Sequence, residues 1–172
     1  MIAACASVDT GYHGVVQATP FDEIGMFRAI ADSDVRALLI GRQALIALGM
    51  PVMTADYDFW IAADDASRFN DALRPFELFP SRTPDDARAN GRYVLDNDEH
   101  VDVLVARAVS TIDGVLVAFD EVWTRRNYVE IGEGVRAAIP CIEDLILTKR
   151  FGGRARDADD IRWLERLKDR RT

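Results

Sequence analysis

The sequence predicts an α/β or α+β fold, a small mixed β-sheet flanked by helices, with further helices at the C-terminus. Three observations carry this. Segments of helical period with capping signals alternate with short β-branched and aromatic segments. The stretch "VMTADYDFWIA" has strand composition and period two: Ala55, Tyr57, Phe59 and Ile61 share one face, Thr54, Asp56, Asp58 and Trp60 the other. Finally, 172 residues at 49% hydrophobic and 29% charged suit one globular domain, or one with a small appendage.

The first dozen residues lack periodicity and read as a loose arm. "ATPFDEIGMFRAIADS" reads as a helix: Thr19 as N-cap, Pro20 in the first turn, Asp22 and Glu23 at the positive end, and Ile24, Phe27 and Ile30 as its apolar stripe. "VRALLIG" is a short strand or the approach to a helix, and "RQALIALG" a helix closed by Gly49. After the Asp-containing strand, "DDASRFNDALRPF" is an amphipathic helix capped by Asp64 or Asp65, with Phe69 and Leu73 inward. "ELFPSRTPDDARANG" reads as a turn-rich loop.

"RYVLDNDEHVDVLVA" then gives two antiparallel strands joined through "DNDE", with Val101, Val103 and Val105 on one face and Asp102 and Leu104 on the other. "GVLVAFDEVWTRRNYVEIGEGVRAAIP" is a β-rich stretch with a turn at "GEG". Pro140 opens the helix "PCIEDLILTKRF", "GG" breaks it, and "DADDIRWLERLKDR" is a last charged helix with Ile161, Leu164 and Leu167 inward. The expected division is an arm over 1–18, a core over 19–140 and a helical segment over 141–172 packed on the core.

Composition removes several function classes. No apolar run approaches the ~20 residues of a membrane span, and the start lacks the basic and apolar regions of a signal peptide, so the expected setting is the cytoplasm, with no membrane partner. Cys5 and Cys141 make neither a disulfide framework nor a zinc site and read as plain small residues. His13 and His100 are too few for a histidine cluster; His100 is either a pH-sensitive neighbour of a site or a strand-end residue without a role. A net charge of −8 argues against a general nucleic-acid binder. The balance is uneven: Lys149–Thr172 carries nine Lys/Arg against five Asp/Glu, so this basic end either holds phosphates or is a solvated helix face.

Three carboxylates need an explanation. Asp56, Asp58 and Asp102 each point away from the apolar face of a strand. Neighbouring strands lie about 4.8 Å apart and i, i+2 side chains about 6.5–7 Å, so adjacent strands would gather three like charges. A divalent cation removes that repulsion, and hard oxygen ligands suit Mg²⁺ or Mn²⁺ with substrate phosphates completing the shell. Such a site serves phosphoryl or nucleotidyl transfer, the third aspartate bridging a second metal or accepting the nucleophile's proton. A lone D-x-D on a solvated sheet face is the common alternative.

The context of this D-x-D resembles a family. "LIGRQALIALGMPVMTADYDFWI" is similar to the signature of the DNA polymerase β-like nucleotidyltransferases, in which a glycine-led turn starts a helix and a strand bearing T-x-D-x-D follows. The resemblance is nearest to small bacterial nucleotidyltransferases of the abortive-infection (AbiEii-type) toxin group. It implies a minimal nucleotidyltransferase fold with Asp56, Asp58 and Asp102 as catalytic residues and metal ligands. It places Gly41, Arg42 and Thr54 at the nucleotide, with Lys149, Arg154, Arg156 and Asp157 of "TKRFGGRARDADD" toward its phosphates. The substrate would be an NTP, the acceptor an RNA, protein or small-molecule hydroxyl, and a cognate antitoxin a further partner. The chain departs from the pattern at Arg42, where a small residue is usual, and at Val52, where an arginine is common. Arg42 either obstructs a phosphate or contacts it. The competing reading is a non-catalytic protein that uses the fold to bind a nucleotide or partner.

Several residues keep two readings. Lys149 is a triphosphate contact or a surface charge; Arg154 and Arg156 bind triphosphate or acceptor, or lie in a solvated loop. Asp157 caps the last helix or positions substrate. Trp60 stacks on a base, or packs in a core or oligomer contact. Asp96, Asp98 and Glu99 form an acidic hairpin turn.

Overall fold

The computed structural model describes residues 20–97 and 99–170. The arm over 1–18, Cys5, His13, Thr19 and Asp98 lie outside the described residues.

Helix α1 (Glu23–Asp32) is capped by Asp22, whose carboxylate accepts from the Gly25 N–H at 2.8 Å. It leads to β1 (Ala37–Ile40), α2 (Gly41–Ala47) and β2 (Asp56–Ile61). A short 3₁₀ turn precedes α3 (Ala66–Leu73). Asp65 does not cap α3 as expected; its buried carboxylate accepts from the Arg36 backbone N–H at 2.9 Å and pairs with Arg68. That tie fixes the start of β1 against the end of β2.

The segment read as a loop contains β3 (Phe79–Pro80) and helix α4 (Pro84–Asn90). Thr83 caps α4, Pro84 opens it and Gly91 ends it at φ 74°. Only Ala87 of α4 is buried, so the capping signals lacked an apolar stripe to confirm them. Strands β4 (Arg92–Asp96) and β5 (His100–Leu104) form the expected antiparallel pair. Strand β6 (Ala108–Ser110) precedes the β-rich stretch, which holds β7 (Leu116–Ala118), β8 (Asn127–Gly132) and β9 (Val135–Ile139), but also helix α5 (Phe119–Thr124). Six residues give too little periodicity to separate α5 from the strands around it. The chain ends in α6 (Ile142–Lys149) and α7 (Ala155–Asp169).

The main sheet has the order β1-β2-β5-β4-β3, in which β2 and β5 are parallel and the other neighbours antiparallel. On one face Tyr57, Phe59 and Ile61 meet α1 and α3, with Phe59 rings 5.9 Å from Phe27 and 5.4 Å from Phe69. Leu145 of α6 and Leu164 of α7 belong to the same core. The opposite face is not left to solvent. Leu38 and Trp60 pack there with Val117, Phe119 and Val122, and Leu147 and Phe151 close over them.

Trp60 is fully buried, donates its Nε1–H to the Ala106 carbonyl at 2.8 Å and makes edge contacts with Phe119 and Phe151. It is a core residue and cannot stack on a base. Packing on this second face is what carries α6, and Lys149 at its end, to the acidic end of β2.

Candidate active site

The register of β2 and β5 decides where the acids meet. Asp58 lies directly opposite Asp102, and Asp56 opposite His100. In parallel strands, residues in register share a face, so the three aspartates occupy one face across a gap of about 4.8 Å. The edge strand β1 ends at Ile40, which pairs with Asp58. Gly41 follows with φ +65°, and a Cβ there would fall inside the Asp58 carboxylate. Only glycine allows this turn to press against the acid. Gly41→Ala is therefore expected to lose about 1–3 kcal/mol of stability through backbone strain and displacement of Asp58. Chemical denaturation should show the loss, and a variant as stable as the parent would refute the close approach.

The acids are not equivalent. Burial pushes the Asp58 carboxyl above its ordinary value, helped by the charges of Asp102 and Asp56 and opposed by Lys149 and Arg154. Asp102 is more open, with a side chain about half exposed, and its Oδ2 is 3.6 Å from His100 Nε2. Burial lowers the His100 value, but its hydrogen bond to Asp96 and the charges of Asp102, Asp96 and Asp56 outweigh this and raise it. His100 thus flanks the acidic cluster on one side.

Cations face the cluster on the other. One polar recess is lined by Gly41, Arg42, Thr54, Asp56, Asp58, Asp102, Lys149, Arg154 and Arg156. All of these were singled out by the sequence, although they come from four separate segments. Lys149 is not a surface charge: it is 4% exposed, and its Nζ donates to Asp160 at 2.9 Å. Arg42 reaches the same carboxylate through Nε and Nη2, both at 3.3 Å. Its guanidinium is thereby tied to α7 while Arg42 still lines the recess. Asp157 takes the capping role: its Oδ2 accepts from the Arg154 N–H at 3.0 Å and from Arg154 Nε at 3.2 Å. Its buried Oδ1 has no hydrogen-bond partner among the described residues and lies 4.0 Å from Lys149 Nζ.

Asp160 closes the R-D-x-x-D run that begins at Arg156, a pattern the family resemblance includes. It is fully buried and joins α2, α6 and α7 through Arg42 and Lys149. The available signal was its i+3 spacing from Asp157, which puts both acids on one face of α7. Cys141 is inert by comparison. Burial pushes its thiol up to about 11, and Sγ donates to Asp144 at 3.2 Å.

A solved structure has a similar fold. A candidate nucleotidyltransferase of Thermotoga maritima is similar over 82% of this chain and 89% of its own, at TM-score 0.55 and 17% identity. The chain has a nucleotidyltransferase fold. At that identity the likeness is one of fold. The antibiotic-resistance factor ANT(2'')-Ia is similar over 73% of this chain and 66% of its own, at TM-score 0.48 and 11% identity. No family model and no curated protein matches the sequence. Within this nucleotidyltransferase fold the acids and cations come from β2, β5, α2, α6 and the turn before α7, so the fold alone brings them together. Among the described residues no helix is long and apolar enough to cross a membrane.

Proposed function

We propose that this protein is a metal-dependent nucleotidyltransferase that moves a nucleoside monophosphate from an NTP to an acceptor hydroxyl. The observation that carries the reading is the cross-strand pair Asp58–Asp102, with Asp56 beside it, facing Lys149, Arg154 and Arg156 across one recess. Carboxylates and guanidinium groups in one recess suit a ligand that brings both phosphate charge and a divalent cation.

The acids fit Mg²⁺ or Mn²⁺ by their chemistry. They are hard oxygen donors, and burial together with the neighbouring acid charges raises the Asp58 value. Among the described residues no three acid, cysteine or histidine groups close on a single point as they stand. Asp56, Asp58 and Asp102 would therefore have to draw together to hold the ion. When bound, the ion would neutralise the triphosphate and polarise the phosphorus under attack.

The chain's own residues account for the remaining steps. Gly41 lets backbone approach the phosphates where a side chain would block them. Lys149, Arg154, Arg156 and Arg42 balance the triphosphate charge, and Thr54 offers a hydroxyl at the rim. The acceptor oxygen attacks the α-phosphorus in line, the bond to the β-phosphate oxygen breaks, and pyrophosphate leaves. Asp102, the more open acid, takes the acceptor's proton. The resemblance to abortive-infection toxins makes an RNA end and a protein hydroxyl the first acceptor classes to test, with a cognate antitoxin as partner.

Thermal stability tests the first step. With Mg²⁺ present, one or more NTPs are expected to raise Tm by a few degrees, about 2.7 kcal/mol at a hundredfold excess over Kd. EDTA should abolish the shift. Absence of a shift with all four NTPs would remove the enzymatic reading. Labelled NTPs incubated with total RNA and lysate then identify the acceptor class.

A further inference from the structure

A second cavity lies away from the acids. A crevice of about 130 Å³ separates α1 from β1 and the β8–β9 hairpin. Its floor is apolar: Phe27, Ile30, Phe59 and Ala137 line it. Ala37, at the start of β1, also lines it, whereas the Gly41 turn follows the other end of that strand, roughly 13 Å away by strand rise. The crevice therefore belongs to neither the recess nor the proposed reaction.

Its mouth is unlike its floor. Trp123, Tyr128 and Arg136 line the rim. Arg126 lies over the Trp123 ring at 4.1 Å and the Tyr128 ring at 5.4 Å, and Arg136 lies over Tyr128 at 4.9 Å. Phe119 stacks on Trp123 at 6.1 Å and 16°, so the ladder is fixed from behind. Arg126 uses Nε on the Tyr128 hydroxyl and Nη1 on the Trp123 carbonyl. Its Nη2 and the whole Arg136 fork have no acceptor among the described residues, and neither arginine makes an ion pair there. Many other arginines of this acidic chain do pair with carboxylates, including Arg28, Arg36, Arg42 and Arg125.

We propose that the crevice is a binding site for a small planar aromatic anion, its ring on the Phe27–Phe59–Ala137 floor and its carboxylate on the free N–H groups of Arg136, with Arg126 stacked behind on Trp123 and Tyr128. Small-ligand sites have this make-up: mostly apolar walls with a few placed polar groups. A guanidinium held by aromatic stacking presents its fork at little further cost in side-chain freedom. An anion is favoured because the unused donors at the rim are cationic, while the floor offers no polar partner.

Calorimetric titration of the full chain with benzoate, indole-3-acetate and neutral benzyl alcohol tests this. The two carboxylates are expected to bind with Kd below about 1 mM, and benzyl alcohol at least tenfold more weakly. Arg136→Ala should weaken the carboxylates about tenfold without changing Tm. Ala31→Phe, at an exposed helix position lining the crevice, should abolish binding by filling it. Asp58→Asn should leave it unchanged, which separates this site from the nucleotide reading. No binding of either carboxylate, or equal binding in parent, Arg136→Ala and Ala31→Phe, would overturn the proposal.

Discussion

Asp58→Asn is expected to abolish nucleotidyl transfer, by about 10³-fold or more, while making the metal-free protein more stable. The two effects share one cause. Asp58 is partly buried opposite Asp102, and its carboxyl is held above the ordinary range by burial and by the neighbouring acids. A carboxylate with a raised folded-state value costs stability once ionised. Stability falls as pH climbs from the unfolded value through the folded one, because the folded state keeps its proton longer. Asparagine removes that fall while keeping the side chain's shape against Gly41. A gain of ~1 kcal/mol would raise Tm by about 2–4 °C in a chain of this size. The same charge is what a cation and a triphosphate would use, and losing one such electrostatic group costs at least 10²–10³-fold in rate. Tm measured between pH 4 and 8 in EDTA, beside transfer from labelled NTP, checks both effects. A variant less stable than the parent above pH 7 would refute the unrelieved charge. Unchanged transfer would remove Asp58 from the reaction.

The alternation in "TADYDFW" made most of this site legible. Period two put Tyr57, Phe59 and Ile61 inward and grouped Asp56 with Asp58, as the packing shows. The fourth member of the polar face misled, because a charged face and a second core lie on the same side of β2. Trp60 is buried only because α5 and the end of α6 cover it. Alternation reports which residues share a face, not what lies over that face further along.

Helix α5 escaped for a related reason. Phe119, Val122 and Trp123 have strand-like composition, and six residues cannot display a 3.6-residue period. Strand adjacency was equally invisible. That Asp58 and Asp102 stand in register follows from the parallel β2–β5 pairing, which joins segments more than forty residues apart. For Lys149 the sequence offered a better clue than was used: one of only two lysines, on a helix with leucine and isoleucine around it. Its burial needs a counter-charge, and Asp160 supplies it from α7.

Asp160→Ala is expected to be the most destabilising single change at this site, at about 3–5 kcal/mol. That is the cost of leaving a buried charge without its partner. The side chain is fully buried and receives Lys149 at 2.9 Å and Arg42 at 3.3 Å, so its loss leaves a 4%-exposed ammonium whose remaining ion pair among the described residues is Asp157 at 4.0 Å. Burial tends to raise the Asp160 carboxyl, but the hydrogen bonds and charges of Lys149 and Arg42 outweigh it and hold the carboxyl below its ordinary value. Its contribution is therefore present above the unfolded carboxylate range, near pH 4, and is lost as pH falls through the lowered folded value. The parent should lose stability in that acid window more steeply than Asp160→Asn, which has no proton to take up there. The double variant Lys149→Met/Asp160→Ala, which removes both charges, should recover most of the loss, because it no longer buries an unpaired ion. It should still fail to transfer nucleotide, since Lys149 faces the recess. Urea denaturation of the parent, Asp160→Ala, Lys149→Met and the double variant at pH 7 measures the cycle. If Asp160→Ala costs less than ~1 kcal/mol, or the double variant is no more stable than the single, then Lys149 reaches water when unpaired and α7 is not held to the core through this pair.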